Sequence, residues 1–148
     1  MIVLDTTVLL YAVGTEHRFR EPCRALINAI SAGELTATTT VEAIQEFTHV
    51  RARRRDRADA VELSHAYLDL LAPLLVVDEA HLREGLRLFA SQPALGSFDA
   101  VLAATARATG AAVVSADAAF ASVPAITHVM PDDSGVRHLL ASHREIHG

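Results

Sequence analysis

The chain has no lysine and no tryptophan, one cysteine, and aromatic residues at only 5% of its 148 positions. Each shortage excludes something. Without an amine side chain there is no P-loop, no Schiff-base or pyridoxal chemistry and no receiver-type site, since each needs a lysine at a fixed place. The lone thiol, Cys23, can neither close an intramolecular disulfide nor build a thiolate metal cluster, which fits a reducing, cytoplasmic setting. No apolar run approaches the roughly 18 residues of a membrane span; the longest, Leu70 to Val77, contains Pro73. The apolar start lacks a basic leader and carries Asp5, so it is expected to be structure rather than a signal peptide. With a formal charge of −5 the chain has no general affinity for polyanions, and any nucleic-acid contact must be local.

What remains is 51% hydrophobic, and this length buries an ordinary core, so residues 1–148 are expected to form one domain. Ile2 to Leu4 reads as a strand stopping at Asp5, followed by a helix from Thr6 to Val13. An amphipathic helix with Pro22 in its first turn repeats through Cys23, Leu26, Ile27 and Ile30 until Gly33. Leu35 to Thr38 is a strand, and Val41, Ile44 and Phe47 mark a helix entering an arginine run. After a polar break at Asp56 comes a helix ended by Pro73, then a buried strand from Leu74 to Val77. Asp78 caps the next helix, which reaches Ser91. Ser97 caps the alanine-rich helix Phe98 to Thr109, which Gly110 terminates. Val113 to Ser115 is a strand, Asp117 opens a short helical turn, Ile126 to Val129 is the last strand, and the tail from Gly135 is weakly helical. Strands alternating with helices predict an α/β fold, a parallel sheet covered on both faces, with sites at the carboxyl ends of its strands.

Four acids stand out. Asp5 lies between Ile2-Val3-Leu4 and Val8-Leu9-Leu10, where a carboxylate is either a helix cap or a buried charge that needs a partner. Asp99, in the first turn of an otherwise apolar helix, and Asp117, at a strand-to-helix junction, carry the same ambiguity. Glu46 follows one turn after Glu42, which reads as a solvated residue. A parallel α/β fold can bring Asp5, Glu46, Asp99 and Asp117 to one crevice, and an all-oxygen cluster suits Mg²⁺ or Mn²⁺ and phosphodiester hydrolysis.

Together, Ile2-Val3-Leu4-Asp5-Thr6-Thr7-Val8-Leu9-Leu10, Ile44-Gln45-Glu46-Phe47, Ser97-Phe98-Asp99-Ala100-Val101-Leu102-Ala103-Ala104-Thr105-Ala106 and Val113-Val114-Ser115-Ala116-Asp117-Ala118-Ala119-Phe120 resemble the four signatures of PIN-domain ribonucleases, most closely the VapC toxins of bacterial toxin-antitoxin pairs. The resemblance spans essentially the whole chain. It implies a three-layer α/β/α domain in which Asp5, Glu46, Asp99 and Asp117 gather Mg²⁺, an RNA substrate, a small antitoxin that blocks the site, and a homodimer. Thr7 stands where the family often has asparagine or serine; its hydroxyl can still bond a ligand carboxylate. Glu46 matches the middle acid better than Glu42 because an aromatic residue follows it.

Other features read differently. Arg51, Arg53, Arg54, Arg55 and Arg57 hold five of the thirteen arginines; such a run is a solvated helix end favoured by the dipole, or a phosphate or acidic-partner contact beside the acids. The Glu-x-x-His pairs at Glu46/His49 and Glu62/His65 are read as helix surface, because strand-like runs and Pro73 break any long four-helix bundle. A haloacid-dehalogenase-like phosphatase needs a second acid at Thr7 and a lysine. Ser115 has no histidine base beside it in sequence. The remaining alternative to an RNase is a catalytically silent PIN-like module binding RNA or protein.

Overall fold

The computed structural model describes residues 1–148. Four short strands, β1 (Ile2–Leu4), β2 (Ala37–Thr38), β3 (Ala112–Val114) and β4 (His128–Val129), form one sheet in the order β2-β1-β3-β4. Every pairing is parallel. The connections are helical: α1 (Thr6–Val13) and α2 (Arg20–Ser31) lead from β1 to β2. Then α3 (Val41–Arg54), α4 (Arg57–Leu71), α5 (Glu79–Ser91) and α6 (Ser97–Thr109) lead to β3, and α7 (Asp133–His147) closes the chain.

Alternation along β1 divides the interior, because successive side chains of a strand point to opposite faces. Ile2 and Leu4 join Val8, Leu9, Leu26, Phe47, Tyr67 and Leu139 in a core beneath α1, α2, α3, α4 and α7. Val3 and Val113 point the other way, into a smaller core of Leu88, Phe120 and the alanines of α6. This is the expected three-layer α/β/α arrangement. Alanine lets α6 approach the sheet closely, and Gly110 ends it in the left-handed conformation at φ 72°, which glycine adopts without strain.

Expected and observed elements differ in several places, among them β2, which holds Ala37–Thr38 and not Leu35 to Thr38. Leu74 to Val77 is not a buried strand: only Leu75 makes a bridge, to Thr40, and Val76 is 76% exposed. An apolar run of four does not by itself distinguish a core strand from a connector. Gly96, not Ser97, takes the cap position of α6, and no side chain caps that helix. β3 ends at Val114, one residue before Ser115, and β4 is two residues long.

The sheet order places β1 and β3 side by side at its centre, with the chain winding away from β1 in opposite directions. Ligand crevices of parallel sheets form at such a reversal, beyond the carboxyl ends of the strands. Asp5 directly follows β1, and Ser115 directly follows β3.

Candidate active site

Asp5 is 3% exposed. It occupies the cap position of α1, yet its side chain makes no cap hydrogen bond. Its carboxylate is held by two hydroxyls: Thr7 donates to Oδ2 at 2.9 Å and Ser115 donates to the same oxygen at 2.7 Å. Burying a carboxylate is costly unless it is hydrogen-bonded, and these two donors meet that need. They also fix its direction, since both land on Oδ2. The expectation that Thr7 can bond a carboxylate is met here.

The same two hydroxyls organise the turn after β3. Thr7 Oγ1 accepts from the Ala116 amide at 3.1 Å, and Ser115 Oγ accepts from the Asp117 amide at 3.0 Å. Asp117 in turn caps the 3₁₀ turn Ala118–Ser122, accepting from the Ala119 amide at 2.9 Å. At the outer edge, the half-buried His128 ring meets the Ser115 carbonyl at 2.8 Å from Nε2. A chain of contacts thus runs from β4 through Ser115 to both Asp5 and Asp117.

Glu46 reaches the site from α3, a helix whose start is fixed by Thr40 accepting from the Ala43 amide. Its Oε2 lies 3.1 Å from Thr6 Oγ1, which joins α3 to the first residue of α1. Asp99 projects from the first turn of α6, three residues past the cap. Burial first, and then the charges of Asp5, Asp117 and Glu46, push its carboxyl up to about 7. Desolvation and like charge both penalise the ionised form, so this direction is itself a sign that the four acids share one electrostatic environment.

A cavity of about 610 Å³ is lined by Asp5, Glu46 and Asp99 together with Glu42, Asp78 and Glu79. Asp117 lies outside that lining and acts on it through charge. Glu42, read as a solvated residue, is exposed but faces this cavity. No three His, Cys, Asp or Glu side chains stand in closed metal-holding geometry. The fit of the cluster to a hard divalent cation rests on its donor chemistry, which is carboxylate and hydroxyl oxygen throughout, and on the mutual repulsion that a cation would offset.

The contacts of Ser115 and His128 around these acids are not foreseen by the sequence reading. The Ser-x-Asp spacing was the available signal for Ser115. For His128 there was none, because its contact depends on the register of β4 against β3. The arginine run divides. Arg51 is buried, paired with Asp59 at 2.6 Å and donating to the Val13 carbonyl at 3.0 Å, whereas Arg53, Arg54, Arg55 and Arg57 are exposed. His49 and His65 lie on exposed helix surface.

A parallel α/β domain that collects acids from the ends of its two central strands and from two helices has the layout of a nuclease. Residues 2–126 match the PIN domain family. The chain is 52% identical over 145 residues to Ribonuclease VapC7 of Mycobacterium tuberculosis, covering 95% of this chain and 98% of that protein. It is 32% identical over 101 residues to Ribonuclease VapC23 of the same species, covering 67% of this chain and 78% of that one. The chain therefore belongs to the PIN-domain family, in its VapC branch.

Proposed function

We propose that this chain is a metal-dependent endoribonuclease that hydrolyses RNA phosphodiester bonds, the toxin of a toxin-antitoxin pair. The observation that carries the reading is Asp5, buried, held by two hydroxyls and lining a cavity shared with Glu46 and Asp99, in a chain 52% identical to a VapC ribonuclease. Nothing favours a catalytically silent module, since all four acids are present.

Asp5, Glu46, Asp99 and Asp117 would hold Mg²⁺, with Mn²⁺ as a substitute. When bound, such an ion polarises the phosphate, lowers the pKa of a coordinated water and stabilises charge on the leaving oxygen. The side chains supply the rest. Thr7 and Ser115 occupy Asp5 Oδ2, leaving Oδ1 without a protein donor. Thr6 steadies the exposed Glu46. The acid that takes the proton from the attacking water comes from this cluster, and attack is in line with the leaving oxygen.

The family implies the surroundings: a small antitoxin that covers the acidic cavity, a homodimer that brings two such cavities together, and a cytoplasmic setting. No helix is long and apolar enough to cross a membrane. The 148 residues act as one domain, and the exposed arginines Arg53, Arg54, Arg55 and Arg57 offer phosphate contacts that the acidic remainder lacks.

The test is cleavage of single-stranded RNA by the purified chain in Mg²⁺. Asp99→Asn keeps the shape and removes a charge. Its loss should exceed the roughly 10- to 100-fold that removal of an outer-shell partner costs. Undiminished cleavage by Asp99→Asn, or by the wild type in excess EDTA, would remove the mechanism.

A further inference from the structure

Aromatic side chains are scarce in this chain, and four of the seven are spent inside it. Phe19, Phe47, Tyr67 and Phe120 are buried. Phe98 is the opposite: it is 71% exposed, the most exposed aromatic ring in the molecule. It sits in the first turn of α6 directly before Asp99, and it lines the same cavity as the acids. Leu82 and Leu86, one helical turn apart on α5, line that cavity too and are 45% and 51% exposed. The packing of α5 on α6 sets the distance between these walls, because Gly85 meets Val101 with no room for a Cβ. The cavity therefore joins the acids to an apolar ridge of Leu82, Leu86 and Phe98, which bears one exposed aromatic ring.

We propose that this ridge is a nucleobase subsite, in which the Phe98 ring stacks on an unpaired base of the RNA next to the bond being cut. The inference rests on the ribonuclease reading of the acid cluster and adds how the substrate is held. Sequence-specific RNA recognition acts on splayed single-stranded bases that stack on aromatic side chains. No cationic side chain lines this cavity, so the scissile phosphate belongs with the acids and their cation, while the neutral base needs an uncharged surface. Phe98 and Asp99 are consecutive residues, so a base on the ring and a phosphate at the carboxylate fall within neighbouring nucleotides. Stacking tolerates every base, and Leu82 and Leu86 add shape without hydrogen-bonding groups. The subsite therefore selects for unpaired structure more than for base identity.

The experiment uses a single-stranded RNA oligonucleotide that the full-length chain cuts, and the same oligonucleotide with an abasic nucleotide at each position flanking the cut. Phe98→Ala should lower kcat/KM on the intact RNA by about five- to a hundredfold, with Phe98→Tyr restoring it. At one flanking position the abasic substrate should be cut equally slowly by the wild type, and Phe98→Ala should cost nothing more there. The melting temperature of Phe98→Ala should match the wild type, because the ring is exposed. Cleavage by Phe98→Ala at the wild-type rate would overturn the subsite, as would a deficit that adds in full to every abasic substitution. Unchanged cleavage with loss of affinity for an amphipathic, arginine-bearing helical peptide would also overturn it, giving the ridge to a protein partner instead. Failure of the ribonuclease reading looks different: the wild type itself would leave every RNA intact in Mg²⁺ and Mn²⁺, and the subsite would fall with it.

Discussion

Asp5 is a buried carboxylate whose two side-chain partners, Thr7 and Ser115, are among the smallest donors available. Ser115 bonds Asp5 through its hydroxyl and meets His128 through its carbonyl, so the orientation of the carboxylate depends on a histidine that touches neither acid. His128→Leu leaves that carbonyl without its partner, whereas His128→Gln can donate from its amide at a similar reach. We expect His128→Leu to lose about 1 kcal/mol of stability and to lower kcat with KM little changed, and His128→Gln to recover most of both. Steady-state kinetics and melting of the two variants check this; equal kcat in both would make His128 a packing residue only. Asp5 and Asp99 stand out in the sequence because each interrupts an apolar run that has no other use for a charge, whereas Glu46 and Asp117 stand out through the family motifs. Thr7 is readable as a carboxylate partner from its motif, but Ser115 and His128 are not, because serine and histidine are unremarkable at strand ends until the strand register is known.

At the scale of elements, the sequence is most readable where periodicity is long. The helices were recognisable from repeats at three and four residues, and the caps at Asp56 and Asp78 are where the turn residues place them. The strands carry two or three residues each, too few for period-two alternation to be counted, which is why Leu74 to Val77 was given a strand it does not form. Arg51 shows the same limit, since the other arginines of its run are exposed while it joins α3 to α4 through Asp59 and to α1 through the Val13 carbonyl. Gly85 is a sharper case. In an isolated helix, replacing glycine by alanine gains about 1 kcal/mol. Here a Cβ would stand 2.6 Å from a Val101 methyl and 2.8 Å from the Val101 Cα, and backbone cannot swing aside. Overpacking of this kind typically costs about 1–3 kcal/mol, so Gly85→Ala should be net destabilising by about 1 kcal/mol. Separating α5 from α6 should also widen the gap between Leu82 and Phe98 and slow RNA cleavage. Chemical denaturation measures the first effect; a stabilised Gly85→Ala would mean that the two helices do not meet at this point.

For the whole molecule, the acid cluster sets how stability responds to pH. Asp99 titrates near 7 in the folded chain against an ordinary 3.8, so between those values the native state holds a proton that the unfolded chain has released. Linkage then makes stability fall as pH rises from about 4 to about 7 and level off above, the reverse of an ordinary ion-paired carboxylate. Asp59 has that ordinary sign: its bond to Arg51 lowers its pKa, so its contribution is lost only as pH drops below the usual aspartate range, outside the window of Asp99. Three pKa units correspond to about 4 kcal/mol. Asp99 is only half-buried, and solvent screening reduces this to the order of 1–2 kcal/mol. For a chain of about 150 residues that is a fall of roughly 2–8 °C in melting temperature, measured in EDTA by thermal melts across pH 4 to 8. Asp99→Asn cannot ionise and should melt higher than the wild type at pH 7, with a flatter profile across the same window. Mg²⁺ should lift the wild type at neutral pH, by about 2.7 kcal/mol at a hundred times its dissociation constant, and lift Asp99→Asn less. The same substitution should therefore stabilise the fold while abolishing cleavage, which is the trade expected where like charges are held together for chemistry. Parallel melting profiles for the two proteins in EDTA would show that Asp99 does not carry the strain of this site.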